Sequence, residues 1–274
     1  MALADSHMHI FAPGFPGRYG ALFPKGGELA TYEAISKVHE IDRALVVGYE
    51  GDPWAAGNNR HIAKLAKDHS WMAPVAFVAG EPSLRQLQQW WQAGFYGIVL
   101  YLNTDADCEN VLSWGKETLD ALNEKKAIIS INAPITNIAR LRPFFQSLPE
   151  TRILLSHLGL PGAISPKTTA ASASRLLAPL KKQGDLTHVG VKLSGFYACN
   201  AYPHTGVTPI VDTIRESFDD RRLYWASDFV PALDDVSFTQ TIDGLRLHLA
   251  KGAQTKAIFH DNLHRIIERV ATTF

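Results

Sequence analysis

Residues 44–79 read ALVVGYEGDPWAAGNNRHIAKLAKDHSWMAPVAFVA. The stretch opens on an apolar run, Ala44–Tyr49, and closes on a second, Met72–Ala79. Between them, Asn58–His69 places Ile62, Leu65 and Ala66 on one helical face. Strand, helix, strand is the unit of a parallel sheet, because parallel neighbours need a crossover of a dozen or more residues. The pattern extends both ways. Further strands are expected at Ala4–Ile10, Gly97–Asn103, Ala127–Ala133, Arg152–Leu158, His188–Ser194 and Leu223–Asp228, eight in all. Ser83 is placed to cap a helix carrying Leu84, Leu87 and Trp91, and a last helix is expected from near Asp261, with Leu263, Ile266, Ile267 and Val270 on one face.

Eight strand–helix units in 274 residues match a single (β/α)8 TIM barrel spanning residues 1–274. A doubly wound open sheet is the competitor, but no GxGxxG follows the first strand. No linker, repeat or low-complexity run divides the chain. The Gly/Pro/Ser/Thr-rich stretch Gly159–Ser174 reads as a loop after a strand, where a barrel keeps its active site, and Ala12–Gly27 reads as another.

Composition narrows the function classes. Lys plus Arg equals Asp plus Glu at 27 each, so no basic excess exists to hold a nucleic-acid backbone or an anionic membrane. Only Cys108 and Cys199 occur, which argues against a disulfide scaffold. No charged leader with an apolar signal core opens the chain, and no run reaches the length of a spanning helix. A cytoplasmic protein acting on a small molecule is expected, with no nucleic-acid or membrane partner, and a homo-oligomer is left open.

In a barrel, catalytic side chains belong at the C-terminal ends of strands. Alternation places Asp5, His7 and His9 on one face of the first strand. The sixth ends in His157, the seventh presents Lys192 and Ser194 together, and the eighth ends in Asp228. Each has a plain structural reading: satisfied core histidines, a lysine with only its stem buried, an aspartate in a turn. Their shared position at strand ends favours chemistry. His260 and His264 stand at i, i+4 but follow no zinc-peptidase pattern, so a capped helix start is expected there. Trp90–Trp91 reads as packing on the barrel wall.

With DSHMHIF at the first strand, LLSHLG at the sixth, VKLSG at the seventh, WASDF at the eighth and FHDNLHRII near the end, the chain resembles the amidohydrolase superfamily, in its amidohydrolase-2 branch. Within that branch it looks most like the lactonases that include 2-pyrone-4,6-dicarboxylate lactonase and sugar-lactone hydrolases. The resemblance implies a hydrolase that opens a small lactone, with Asp228 as general base on water and His7, His9 and His157 polarising the carbonyl or holding a metal. His7, His9 and Asp228 are the candidate ligands of a single divalent ion, zinc first; catalysis without metal is the other version. Metal-dependent relatives carry a further ligand on an earlier strand, where this chain offers Asn132, a poor zinc ligand. That departure counts against the alternative, a zinc-dependent decarboxylase of an unsaturated or aromatic acid. A non-catalytic barrel is the reading from another class. Tyr49, Tyr101, Asn103, Asn132, Lys192 and Ser194 are the expected substrate-binding residues. These mostly neutral groups lean toward a sugar or monoanionic lactone, since a dicarboxylate calls for arginines and none ends a predicted strand; Lys192 is the one obvious inward cation, and Arg18, in the first long loop, could still reach the mouth.

Overall fold

A computed structural model describes residues 1–18 and 27–273, so part of the expected loop Ala12–Gly27 lies outside the described residues. The strands are β1 (Leu3–Met8), β2 (Ile41–Val47), β3 (Met72–Phe77), β4 (Gly97–Tyr101), β5 (Ile128–Asn132), β6 (Arg152–Leu155), β7 (Val189–Leu193) and β8 (Leu223–Trp225). They lie in sequence order and pair in parallel. Beyond β8 the chain returns to β1: Asp228 N–H donates to His7 O at 2.9 Å, His9 N–H donates to Phe229 O at 2.5 Å, and Met8 bridges to Phe229. The sheet thereby closes as a (β/α)8 barrel.

The interior is filled by side chains from alternating strand positions, among them Leu45, Val47, Val75, Val99, Ile128, Leu154 and Tyr224. Leu263, Ile266, Ile267 and Val270 of the last helix, Asn262–Ala271, belong to the same cluster and seal its floor. The other face of the strands packs against the helices in a larger core. Local chemistry fixes the helix starts: Ser83 Oγ accepts from Gln86 N at 3.2 Å, and Thr104 with Asp107 forms a capping box. Gly97 is required by close approach, since a Cβ there would lie 1.7 Å from the carbonyl oxygen of Ile128.

Several expectations need correction. At the mouth the strands end short of the predicted Tyr49, Ala79, Asn103, Leu158 and Asp228, because the chain leaves the ladder to fold over the barrel axis. His157, Leu158 and Asp228 take left-handed φ angles of 52°, 60° and 57°, which a strand cannot hold. The Gly159–Ser174 stretch is not all loop: Thr169 caps a helix beginning at Ala170. Asp261 does not cap the last helix; a π-helical turn, Ala257–Asp261, runs directly into it.

β1 departs from simple alternation. Between Asp5 and Met8 it advances three residues while β2 advances only from Ala44 to Val46, and this bulge reverses the phase. Ala4 packs inside the barrel, Met8 packs outside, and Asp5 turns away from the histidines. Its carboxylate accepts from Tyr32 Oη (3.0 Å), Ser227 N (2.9 Å), His7 N (3.1 Å) and Ser227 Oγ. Burial pushes the Asp5 carboxyl up to about 6 despite these donors. The residue ties β1 to the segment after β8 where the barrel closes. Asp5→Ala should therefore cost at least about 3 kcal/mol in urea denaturation, because several buried donors lose their acceptor. A loss below about 1 kcal/mol would contradict this role.

Candidate active site

Four buried side chains meet above the closure of β1 and β8. His7 Nε2 lies 3.1 Å from His9 Nε2, and these atoms lie 3.7 and 3.8 Å from Asp228 Oδ1. His157 Nε2 lies 3.9 Å from Asp228 Oδ2. The β1 histidines arrive from one side of the seam and Asp228 from the other, held by the backbone bonds that close the barrel. His157 follows β6 in a left-handed turn, where Gly195 makes room: with φ +69°, a Cβ at Gly195 would lie 2.6 Å from His157 Cβ.

Each group is oriented from behind. His9 Nδ1–H donates to Val47 O at 2.8 Å, which leaves its Nε2 lone pair facing the site. His157 Nδ1 pairs with Ser194 Oγ at 3.0 Å. His7 Nδ1 faces Lys192 Nζ at 3.0 Å and Ser156 Oγ at 3.3 Å, and Lys192 also donates to Ser130 Oγ at 2.7 Å. Tyr197 Oη donates to Asp228 Oδ2.

Burial dominates the electrostatics. It pulls His9 down to about 4 and His157 to about 3, and holds His7 well below the usual imidazole value, so all three rings are neutral near pH 7. The same desolvation raises Asp228, against the pull of His9, Tyr197 and Lys192, and lowers Lys192 to about 7. A Lys192 ammonium donating to His7 Nδ1 leaves the proton on His7 Nε2, which then donates to His9 Nε2. When His7 instead gives its Nδ1 proton to Ser156 Oγ, its Nε2 is free to act as a ligand.

The donor set fits one divalent ion. A point equidistant from His7 Nε2, His9 Nε2 and Asp228 Oδ1 lies about 2.1 Å from each, the length of a zinc–nitrogen or zinc–oxygen bond. Carbonyl support behind His9 is the usual arrangement around a ligating histidine. His157 approaches the other carboxylate oxygen of Asp228, and all four residues line one cavity.

That cavity, about 350 Å³, is lined by His7, His9, His157 and Asp228 together with Tyr49, Tyr101, Asn132, Tyr197, Asp52, Leu160, Pro231 and the rings of Phe11, Phe15 and Trp54. Among the described residues its lining contains no lysine or arginine. Tyr49 Oη donates to Asp52 Oδ2 at 2.8 Å. Of the residues expected to bind substrate, Tyr49, Tyr101 and Asn132 line the cavity. Ser194 lies behind His157, Lys192 is fully buried beneath His7, and Asn103 is exposed outside it. Arg18 is exposed, with its backbone N–H on Asp234 Oδ2 at 3.1 Å.

Sequence reasoning missed Tyr197, Asp52, Trp54, Phe11 and Phe15. Tyr197 had a readable signal: it stands just past β7, in the helical turn Phe196–Cys199, where a barrel displays functional groups. The DPW turn after β2 carries the same signal for Asp52 and Trp54. Nothing local distinguishes Phe11 and Phe15 from core residues.

The family model for amidohydrolases matches residues 4–267. No curated protein gives a significant match. Among solved structures, a probable 2-pyrone-4,6-dicarboxylic acid hydrolase of Acinetobacter baumannii with citric acid bound superposes with a TM-score of 0.75 at 14% identity, over 98% of this chain and 100% of that one. An amidohydrolase of Burkholderia multivorans with bound zinc gives 0.76 at 17% identity, over 98% and 99%. The 2,6-dihydroxybenzoate decarboxylase of Rhizobium gives 0.69 at 12% identity, over 98% and 99%. At such identities the likeness is one of fold, and the family match covers nearly the whole barrel. The chain belongs to the amidohydrolase family.

Proposed function

We propose that this enzyme hydrolyses a small, uncharged lactone, a sugar lactone first, with Asp228 as the base that activates water. The observation that carries the reading is a buried carboxylate facing three neutral imidazoles at the base of a cavity walled by aromatic rings. Lactone opening needs an activated water, a resting place for the oxyanion, and a proton for the leaving oxygen. A carboxylate raised by burial is a better base than a free one, and Tyr197 holds it in place.

Water against Asp228 attacks the carbonyl carbon, and its proton passes to the carboxylate. With Ser194 Oγ donating to Nδ1, His157 presents Nε2–H to the developing oxyanion. Collapse breaks the ring C–O bond, and the proton on Asp228 returns to the departing ring oxygen, leaving a hydroxy acid. If zinc is bound, His7, His9 and Asp228 hold it, and it supplies a water acidified to a pKa of about 7.

The cavity also supports a choice among lactones. A pyrone dicarboxylate brings two anions and calls for bidentate arginines. The described lining offers no cation and adds the carboxylate of Asp52, whereas Tyr49, Tyr101 and Asn132 suit hydroxyl groups. An acid entering for decarboxylation meets the same described lining, with no lysine or arginine to pair with its carboxylate.

Asp228→Asn should lower kcat/KM for a sugar lactone by at least about 100-fold without loss of folded protein; activity within a few-fold of wild type would sink the assignment. The pH profile tests the carboxylate differently. Because burial raises Asp228, activity should fall on acidification with a midpoint above the ordinary carboxylate value of about 4. Tyr197 donates to the ionised form and so lowers this midpoint, and Tyr197→Phe should move the acid limb to higher pH. An unmoved or downward-shifted limb would remove Tyr197 from that role.

A further inference from the structure

At the opposite end of the barrel, the start of β2 meets the last helix. Asp42 Oδ2 lies 3.1 Å from His260 Nε2, and Asp42 Oδ1 lies 2.8 Å from His264 Nε2. The two imidazoles stack with centroids 4.2 Å apart and 29° between their planes. All three side chains reach solvent in part. The pair straddles a helical irregularity: His260 lies in the π turn Ala257–Asp261 and His264 in the α-helix that follows. Single π turns inside helices recur at functional sites.

His260 stands between two carboxylates. His260 Nδ1 faces Asp261 Oδ1 at 2.8 Å while its Nε2 faces Asp42. A neutral imidazole has one N–H, so one of these contacts sets a nitrogen lone pair against a carboxylate oxygen. Protonation of His260 satisfies both carboxylates, which hold its imidazole above the ordinary value, and a divalent cation taken at Nε2 in place of that proton satisfies them equally. With the Nδ1 proton given to Asp261, the His260 Nε2 lone pair and the Asp42 carboxylate point at the same place. A carboxylate behind a ligating histidine is the supporting arrangement found around bound metals. Lys256 holds Asp261 in position at 2.9 and 3.1 Å.

We propose that Asp42, His260 and His264 form a metal site, separate from the active site, for a divalent late transition ion such as zinc. Two imidazoles and a carboxylate are the ligand types such ions select, and the exposed side leaves room for water to complete the shell. Each imidazole nitrogen already lies within 3.1 Å of one Asp42 oxygen, and the three donor atoms lie within 4.8 Å of one another, close enough to be drawn onto one ion. The ion would clip the last helix, whose apolar face floors the barrel, to the start of β2.

The test is equilibrium dialysis of the full-length protein against zinc alone, comparing wild type with His264→Ala and Asp42→Asn. Wild type should bind one more equivalent than either variant, whatever the active site binds, and lactone hydrolysis should be unchanged in both. Asp261→Asn should retain the equivalent with affinity reduced about 10–100-fold. Equal stoichiometry in wild type and His264→Ala, including none in both, would overturn the site.

Discussion

The closure of β8 onto β1 is the constraint on which the rest depends. Two backbone hydrogen bonds make it, from Asp228 N–H to His7 O and from His9 N–H to Phe229 O, and the same residues carry the candidate chemistry. A displacement at this seam would move Asp228 and two of the three imidazoles beside it relative to one another. Asp5 secures the seam from outside the barrel by accepting from both sides of it. Rigid support of this kind is what a site needs when its groups must hold to within a fraction of an ångström.

The cluster sits where water is scarce, and that decides the states of its members. Neutral imidazoles and a reluctant carboxylate cost less to bury than fully charged groups would. Lys192 is the exception: a cation-capable group without solvent, answered by Ser130 and by His7 Nδ1. Its contact makes the protonation of His7 depend on a group beneath the site rather than in the cavity. One constellation thus accommodates proton transfer with or without an ion, through the tautomer of His7.

Much of the architecture was legible because it rests on local chemistry. Apolar runs spaced by amphipathic stretches give the eight strands, and polar residues closing those runs mark the mouth. His7, His9, His157 and Asp228 were readable for that reason. What alternation cannot foresee is a bulge, and the extra residue between Asp5 and Met8 separates Asp5 from the histidines it was expected to join. Lys192 carries the right parity but is buried beneath His7 and is not among the residues lining the cavity. Asn103 falls beyond the end of β4, where the chain has turned outward. Tyr197 and Trp54 come from short turns after strands, whose direction depends on tertiary packing. The His260–His264 pair was read as a helix start because a π turn leaves no mark in hydrophobic periodicity.

We propose that a cavity whose described lining holds no lysine or arginine, built around a buried carboxylate, opens uncharged lactones. The most direct measurement is proton release on a panel of neutral sugar lactones set beside 2-pyrone-4,6-dicarboxylate, with the enzyme as purified and after chelation. Turnover of a neutral lactone with a kcat/KM well above that for the dicarboxylate is expected. Turnover of the dicarboxylate with the neutral lactones left intact would contradict it.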